Sequence, residues 1–404
     1  MNILFVSCLL PYSQVAHGGG VDLFHLIESL SARHEVHLVS IAAEPELPYV
    51  PDIQTYCASV RVVTPSWSWR QKLRQAWRGL WTRPLLIGRR ARAEMRAFIR
   101  QTISEAAIDV AQFEWTETAA YVDAVPPGRT VRILDEVDVS YRPAEYRARH
   151  LTHPLLRPCA LWRSRQVKCG ELDLCRRFDA ILTRSEHDRQ VLNAEVPELV
   201  VHVLHPWTHL AELADVREDE RQRGRLVFVG AMDRDENCEA ALFFYQRVFP
   251  RVRQAWPQAE FWVAGANPPA RIMALARDPA VKVTGYVDSL RPIYAACDVF
   301  VAPMLLPGGV FNKIVDAMAA GRPVVTTTVG NEGIAAREGE AILIADDPAD
   351  FAGSVVRLLG DDSLWRRVAS NGRGHVQQTY DWRANIRRLE SLYEQLLAQR
   401  NDVK

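Results

Sequence analysis

Apolar runs alternate with helical patterns along the first part of the chain. Residues 3–6 form a continuous apolar run, which predicts a buried strand. Residues 21–31 carry apolar side chains at helical spacing, and residues 36–40 form the next apolar run. A strand, a glycine-rich turn, a helix and a second strand make a βαβ unit. The pattern therefore predicts α/β architecture with a parallel sheet.

The second half of the chain repeats this scheme. Further strands are predicted at residues 226–229, 260–264, 281–284, 299–303 and 323–327, and a helix is predicted over residues 238–256. Three of these strands end directly at a glycine, namely Gly230, Gly265 and Gly285. The predicted fold class is therefore α/β, with two Rossmann-like doubly wound domains that face each other across a cleft.

A polar and charged segment between residues 205 and 224 separates the two halves. We place an N-terminal domain at residues 1–205 and a C-terminal domain at residues 206–382. The closing segment, residues 383–404, has the pattern of an amphipathic helix and is expected to pack back toward the N-terminal domain. A chain of 404 residues suits two domains of this size.

The composition is that of an ordinary globular protein, with 48% hydrophobic and 24% charged residues. The 49 basic and 49 acidic side chains cancel, so net charge gives no argument for nucleic acid binding. Seven cysteines without a close CxxC pair favour reduced thiols over disulfides or a zinc site. The N-terminus lacks the basic region of a signal peptide, and no apolar stretch approaches the ~20 residues of a membrane span. We therefore expect a cytoplasmic protein.

The first glycine-rich segment, His17 with the glycines at 18–20, lies between the first predicted strand and the first predicted helix. Glycine lets the backbone approach a ligand closely, and the N-terminus of a helix favours an anion. A tight strand-to-helix turn without a ligand is the alternative interpretation.

A second segment combines glycines with charged residues. Lys313 and Asp316 lie three residues apart, so on a helix they share a face. A cation beside Gly308 and Gly309 suits a diphosphate, and an ionised carboxylate can accept hydrogen bonds from two ribose hydroxyls. An exposed ion pair between the two side chains is the alternative.

Residues 312–325, NKIVDAMAAGRPVV, resemble the donor-site motif of retaining glycosyltransferases of the GT-B fold, family 4. The likeness extends over residues 225–397, and it is carried by the segments 228–244, 261–269, 283–303, 329–334 and 380–396. The N-terminal half resembles the acceptor domain of that family more loosely, at residues 113–126, 133–140 and 178–192.

The resemblance implies a nucleoside diphosphate sugar as donor, a glycan or lipid-linked acceptor, and neither a metal nor another cofactor. Asp316 would hold the ribose, and the candidate catalytic residues are Lys313, Arg234 and Asp138. Lys313 and Arg234 would stabilise the leaving diphosphate, which can itself take the acceptor proton. The other residues that the resemblance assigns to the donor are Gly18, Gly19, Gly20, Gly230, Gly285, Tyr286, Val287, Gly308, Gly309, Val310, Asn312 and Glu332.

The sequence departs from the family pattern at several of these positions. The first acidic residue of the Glu-x7-Glu motif, which usually contacts the transferred sugar, is replaced by Gly308. The Arg and Lys that often follow the first strand glycine are replaced by Ala231 and Asn237. Val137 stands where a histidine is common, beside the carboxylates Asp135, Glu136 and Asp138, and no single role follows for any of these three. The identity of the transferred sugar is therefore open.

Residues 61–100 form a basic, tryptophan-rich stretch. Eleven cations and a single acid, Glu94, give it a net charge of +10, and four tryptophans are interleaved. This combination is typical of a surface that meets an anionic membrane, which would place the protein on the inner face of the cell membrane. A solvated helix with inward-packed tryptophans is the alternative, and no recognition motif supports nucleic acid as the partner.

The sequence leaves three functions from different classes open. The first is a glycosyltransferase, a hexosyltransferase type in EC 2.4, that acts in cell-surface polysaccharide or glycoconjugate biosynthesis. The second is a catalytically weakened GT-B protein that binds glycan or acts as a subunit of a complex, which the changes at Gly308 and Ala231 motivate. The third is a sugar-nucleotide 2-epimerase, against which the segment 312–325 argues.

Overall fold

The computed structural model describes residues 1–13, 15, 18–64 and 89–402, with the backbone alone described at 89–92 and 401–402. The chain divides into two compact units. Unit 1 comprises Met1–Trp207 and Trp382–Lys404, and unit 2 comprises Thr208–Asp381. The division lies two residues beyond the position 205 predicted from the sequence, and the closing helix groups with unit 1.

Unit 1 contains a parallel sheet of seven strands with the order β3-β2-β1-β4-β5-β6-β7. Its strands are β1 (Asn2–Ser7), β2 (Glu35–Ile41), β3 (Ser59–Val63), β4 (Val110–Glu114), β5 (Val131–Glu136), β6 (Ala180–Thr183) and β7 (Val201–Val203). Its helices are α1 (Gly18–Ser31), α2 (Val50–Gln54), α3 (Arg89–Ala106), α4 (Thr116–Ala119), α5 (Tyr141–His150), α6 (Arg157–Cys175) and α7 (Glu186–Glu195).

The apolar runs of unit 1 form strands because helices cover the sheet on both faces. Alternate residues of β1 enter opposite cores, with Leu4 and Val6 in one cluster and Ile3 and Phe5 in the other. A strand that is buried on both faces has no polar side, which explains the continuous apolar run in the sequence.

Unit 2 contains a parallel sheet of six strands with the order β10-β9-β8-β11-β12-β13. Its strands are β8 (Arg225–Val229), β9 (Glu260–Ala264), β10 (Val281–Gly285), β11 (Val299–Ala302), β12 (Val324–Thr326) and β13 (Leu343–Ile344). Its helices are α8 (Leu210–Leu213), α9 (Asp235–Phe243), α10 (Phe249–Ala255), α11 (Ala270–Met273), α12 (Arg291–Ala296), α13 (Asn312–Ala319), α14 (Thr328–Asn331), α15 (Pro348–Gly360) and α16 (Asp362–Thr379).

The strand order of each sheet reverses beside its first strand. In unit 2 the chain runs outward from β8 to β10 and then returns to place β11 on the other side of β8. A crevice forms at such a switch point at the carboxyl ends of the strands, and ligands of open α/β sheets bind there. Gly230 follows β8, and the segment that leads to Gly308 and Gly309 follows β11. The topology therefore brings the two candidate donor segments of unit 2 to the switch point.

Two predicted elements differ from the structure. The glycines at 18–20 form the first turn of α1 instead of a turn before it, because none of them adopts a positive φ. The helix predicted over 238–256 begins at Asp235, and a π-helical turn at Phe244–Val248 divides it. Pro250 explains the division, because proline lacks the N–H group that a continuous α-helix would use at this position.

The closing helix α17 (Trp382–Asp402) is part of the core of unit 1. Tyr393 is fully buried, and its hydroxyl donates a hydrogen bond to Gln112 Oε1 at 2.5 Å. Glu390 accepts two hydrogen bonds from Arg33 at 2.8 and 2.7 Å. Among the described residues, no helix is both long enough and apolar enough to cross a membrane.

Candidate functional site

Helix α13 carries the charged residues of the candidate donor site. Six of its eight residues, from Ile314 to Ala319, are buried, so the helix is enclosed by unit 2 on nearly every side. The helix ends at Ala319 and is followed by Gly321, whose φ of +64° suits glycine; a Cβ there would lie 2.9 Å from the Arg373 side chain. Because the helix is enclosed, Lys313 and Asp316 are held in a setting of low polarity.

Lys313 is a cation without a carboxylate partner among the described residues. Its Nζ donates a hydrogen bond to Asn237 Oδ1, and it lies 4.8 Å from the centroid of the Phe228 ring. Loss of solvation lowers the pKa of Lys313 to about 7, an effect opposed by the charge of Glu236 and reinforced by Arg234. A desolvated amine without a counter-ion is suited to bind an anion, because a ligand would supply the missing negative charge.

Asp316 lies one helical turn after Lys313 and is only 5% exposed. Its Oδ1 accepts a hydrogen bond from the backbone N–H of His209 at 3.2 Å. Burial raises the pKa of Asp316 to about 6, and the charge and N–H group of His209 oppose that rise. Asp316 and Lys313 do not form the exposed ion pair considered from the sequence, because each is desolvated and has a different partner.

The turn at Gly308 and Gly309 has unused backbone donors. Gly309 has a φ of +58°, which only glycine adopts without strain. Within the described part of the chain, no acceptor is found for the N–H groups of Gly308, Gly309 and Val310. A Cβ on Gly333 would lie 2.3 Å from the Gly309 carbonyl oxygen, so the turn packs directly against this glycine. The neighbouring Glu332 is therefore held beside the turn.

Gly230 serves close packing instead of presenting a donor. Its N–H group donates to the Ala264 carbonyl at 3.0 Å, so the phosphate contact predicted from the sequence has no free N–H group at this position. A Cβ on Gly230 would lie 2.8 Å from the Asn237 side chain. The absence of a side chain at Gly230 therefore lets Asn237 reach Lys313.

Arg234 and Asn312 flank this region. Arg234 precedes α9, and its Nε lies 3.0 Å from Glu236 Oε1, with about half of the side chain exposed. Asn312 is the first residue of α13. The charge of Arg234 is near enough to lower the pKa of Lys313, and the role of Arg234 at the donor stays a prediction.

The remaining predicted residues of unit 2 lie at the end of β10. Gly285 has a φ of +67°, and its carbonyl accepts hydrogen bonds from Gly265 N at 3.1 Å and Thr284 Oγ1 at 2.9 Å. Tyr286 is 71% exposed, and Val287 follows it. The exposed ring gives this strand end an aromatic face that a planar base could use.

In unit 1, the glycines at the start of α1 are shaped by packing. A Cβ on Gly19 would lie 2.3 Å from the Trp115 ring, and a Cβ on Gly20 would lie 2.9 Å from Val15. Gly18 is exposed at the helix N-terminus, and His17 lies outside the described residues. Close packing therefore accounts for Gly19 and Gly20 without a ligand.

The carboxylates near Asp138 separate into one exposed and two buried side chains. Asp138 is exposed in the segment after β5. Asp135 is fully buried, and its Oδ2 lies 2.9 Å from Nη2 of the buried Arg184. Glu136 is also fully buried, and the Thr116 hydroxyl donates a bifurcated hydrogen bond to its two carboxyl oxygens, each 2.9 Å away. Of these three carboxylates, only Asp138 is exposed, and its role in catalysis stays a prediction.

Sequence reasoning missed two participants. Asn237 was noted only as a departure from the family pattern, yet it holds the amino group of Lys313. His209 lies in the polar segment between the two predicted halves, yet its backbone N–H group holds Asp316. Neither role has a local sequence signal, because 76 and 107 residues separate the partners.

Cavity volume does not identify this site. Two open cavities of about 450 and 490 Å³ are lined by residues of unit 1 alone, including Arg132 with Asp179 and Arg387 with Arg388. Neither cavity is lined by a candidate donor residue. Among the described residues, no group of three or more His, Cys, Asp or Glu side chains has the arrangement of a metal site.

The segment that carries the candidate site matches a known sequence family. Residues 223–361 match the family described as glycosyl transferases group 1. A Klebsiella pneumoniae protein described as an uncharacterised 44.6 kDa protein in the cps region is 25% identical over 224 residues. This match covers 53% of the chain and 56% of the Klebsiella protein, so the chain spans about half the length of that relative.

Solved structures show the fold over nearly the whole chain. Sucrose-phosphate synthase from Thermosynechococcus elongatus aligns with a TM-score of 0.77 and 18% identity, covering 99% of this chain and 100% of that one. HepE from Anabaena, solved with UDP and glucose, aligns with a TM-score of 0.67 and 16% identity, covering 97% and 99%. The two parallel-sheet α/β units are therefore the GT-B fold of these glycosyltransferases.

Proposed function

We propose that the protein is a retaining glycosyltransferase of family 4, which transfers a hexose from a nucleoside diphosphate sugar to a glycan or lipid-linked acceptor. The observation that carries the proposal is the desolvated amine of Lys313, held by Asn237 without a carboxylate partner among the described residues. It lies one turn from the buried carboxylate of Asp316, inside the segment that matches the group 1 family.

The chemistry follows from the charge that develops on the leaving group. When the bond between the sugar and the diphosphate breaks, negative charge grows on the diphosphate oxygens, and Lys313 with Arg234 stabilises it. The N–H groups of Gly308, Gly309 and Val310 donate to the same oxygens. Asp316 accepts hydrogen bonds from the ribose hydroxyls. The acceptor hydroxyl attacks the anomeric carbon and gives its proton to the departing phosphate, so atoms and charge balance without a protein nucleophile.

The choice of donor and acceptor rests on what related structures bind and on the surface of this chain. HepE was solved with UDP and glucose, which favours a UDP-sugar as the first donor to test. The basic stretch 61–100 suits a lipid-linked acceptor at the inner face of the cell membrane, with a role in polysaccharide or glycoconjugate biosynthesis. Residues 65–88 and the side chains of 89–92 lie outside the described part, while Arg61 and Arg96 pair with Glu105 and Asp123.

The direct test is nucleotide binding and transfer by the wild type and by Lys313→Ala. Thermal shift with UDP, GDP, TDP and their sugars identifies the base, and radiolabelled sugar transfer measures turnover. We expect one nucleotide to stabilise the wild type, and Lys313→Ala to reduce turnover by more than about tenfold, or about 1.4 kcal/mol in the barrier.

Lys282→Ala is the matched control. Lys282 lies in the same unit on β10, with its amino group 4.0 Å from the centroid of the Trp262 ring. Its removal should leave turnover close to that of the wild type. Turnover that is equal in Lys313→Ala and the wild type would remove Lys313 from the reaction.

A second candidate function is a GT-B protein that binds a nucleotide sugar or glycan without efficient transfer. Gly308 stands in place of the family's sugar-contacting acid, and Arg234 is paired with Glu236. The same experiment separates the two functions. A nucleotide that stabilises the protein without transfer or donor hydrolysis favours the binding function.

A further inference from the structure

Helix α6 and the segment before it expose an unusual amount of apolar surface. Leu155 is 82% exposed, Leu156 is 57% exposed and Trp162 is 59% exposed. These three large apolar side chains fall within eight consecutive positions. Among the other exposed ones in the described residues, only Leu47 and Tyr49 lie close together, and they are less exposed at 40% and 36%. Clustered apolar exposure marks an interaction surface, while scattered exposure does not.

The geometry of α6 places this surface opposite its packed side. Ser164, Glu171, Leu172 and Cys175 are the buried residues of the helix and share one face. Trp162 lies about 200° around the helix axis from Ser164, so it is on the outward face of α6. Leu155 and Leu156 lie in the turn before the helix, and their exposure shows that they do not belong to the core of unit 1.

Cations surround the apolar side chains. Residues 141–169 contain seven arginine and lysine side chains and a single acid, Glu145. Arg157 and Arg165 are exposed on α6, and neither forms an ion pair within the described residues. Arg147 is exposed in the last turn of α5, which packs against α6. Arg142, Arg149 and Lys168 pair with Asp188, Glu145 and Glu195, so the positive charge left beside the apolar side chains is that of Arg147, Arg157 and Arg165.

We propose that this surface, which we call the α6 face (Leu155, Leu156, Arg157, Trp162 and Arg165), docks on an anionic lipid bilayer. Leucine and tryptophan partition into the boundary between headgroups and acyl chains, and arginine pairs with lipid phosphates above them. A nucleic acid surface offers no apolar layer for two leucines. The mixture of exposed apolar residues with unpaired arginines fits a bilayer.

The α6 face is a different segment of the chain from the basic stretch 61–100. It begins about 55 residues after Arg100 and combines its charge with exposed leucines. Its membrane binding does not depend on the transfer reaction proposed above, because binding to vesicles is measured without donor or acceptor. Failure of one proposal therefore leaves the other intact.

The test is co-sedimentation of the full chain with vesicles of phosphatidylcholine alone or with phosphatidylglycerol. We expect binding only to the anionic vesicles, and weaker binding as salt is raised. The apolar variant Leu155→Gln/Leu156→Gln/Trp162→Gln should bind at least about tenfold more weakly. The charge variant Arg157→Gln/Arg165→Gln should lose about fivefold per arginine.

Two controls keep the result specific. Val200→Gln/Met273→Gln removes two large apolar side chains that are 48% and 49% exposed outside the α6 face, and it should bind as the wild type does. Arg70→Gln/Arg74→Gln removes two cations of the basic stretch 61–100, so it measures how much of the binding that stretch supplies. The proposal is overturned if the wild type does not bind anionic vesicles, or if the apolar variant binds as tightly as the wild type.

Sedimentation velocity without lipid tests whether a second copy of the chain binds the α6 face instead. We expect the wild type and the apolar variant to have the same mass in solution. A wild-type dimer that the apolar variant abolishes would assign the α6 face to a second copy of the chain and overturn the membrane proposal.

Discussion

Lys313 and Asn237 form the most informative pair of residues in the molecule. The family that the sequence resembles often places a lysine at the position of Asn237, and this chain lacks it. The amino group of Lys313 instead reaches the Asn237 side chain from the first turn of α13. The side chain of Lys313 therefore brings a basic group to Asn237, where the family often has a lysine of its own. The change at position 237 alters which residue supplies the positive charge, and the charge is still present.

The pKa values of Lys313 and Asp316 predict a narrow pH optimum. Burial raises the pKa of Asp316 to about 6, so its carboxylate forms as pH rises through that value. Desolvation lowers the pKa of Lys313 to about 7, so its charge is lost as pH rises through that value. The dependence of kcat/KM on pH reports the free enzyme, and we expect a bell with its maximum between these two pKa values.

Two variants test which residue causes each limb of the bell-shaped pH profile. Asp316→Asn should remove the acid limb, and Lys313→Arg should remove the alkaline limb because a guanidinium stays protonated. The measurement is the pH profile of kcat/KM for the donor. An unchanged profile in both variants would show that other groups control it.

At the scale of elements, β5 and α6 are joined by buried carboxyl groups. Glu136, at the end of β5, is fully buried, and Glu171 of α6 accepts a hydrogen bond from Ser140 N at 2.7 Å. Burial raises the pKa of Glu136 well above its usual range, and the nearby Glu171 charge raises it further. Glu136 is therefore a buried structural carboxyl group with a raised pKa between the strand and the helix.

This buried pair predicts how stability depends on pH. Because the folded-state pKa of Glu136 is raised, the unfolded chain releases its proton first, near a pKa of about 4.3. The free energy of unfolding therefore falls as pH rises from that value toward the raised folded-state pKa. Glu136→Gln carries a neutral amide at all pH values, so its stability relative to the wild type should increase with pH.

Denaturant unfolding at several pH values measures this difference. Glu44→Gln, at an exposed position before α2, is the control and should track the wild type. If the stability of Glu136→Gln relative to the wild type fell as pH rises, that result would contradict the raised pKa of Glu136.

At the scale of the whole molecule, unit 1 is built from both ends of the chain. Leu389, Leu392, Tyr393 and Leu396 of α17 belong to the same core cluster as β1 and α1. Unit 2 is continuous in sequence, and none of its core residues comes from α17. Unit 1 therefore completes its core only when the last residues of the chain are present.

Removal of residues 382–404 should destabilise unit 1 and spare unit 2. We expect hydrogen exchange to show lost protection in β1 and β4 of the shortened chain and retained protection in β8 and β11. Tyr393→Phe is the graded variant, because it leaves Gln112 Oε1 buried without its donor at a cost of about 1–3 kcal/mol. Full protection of β1 in the shortened chain would show that α17 is dispensable.

The sequence by itself determined the parallel strands, the two α/β halves and the segment that carries Lys313 and Asp316. These features are local, because a strand buried on both faces needs an apolar run, and a sharp turn such as that at Gly309 needs glycine. The prediction that these halves form the GT-B fold is confirmed by the solved structures. The assignments of individual donor residues stay predictions.

Only the tertiary structure decided how those residues are used. In the structure, Asn237 contacts Lys313, and the backbone of His209 contacts Asp316. The Gly230 N–H group donates to a neighbouring strand, and α1 begins at Gly18. The tertiary structure also left Leu155 exposed in the turn before α6 and Trp162 exposed on the outward face of that helix. Each outcome depends on contacts between segments far apart in the chain and on the solvent they exclude. Desolvation sets the charge of a buried side chain, and the local sequence pattern does not specify it.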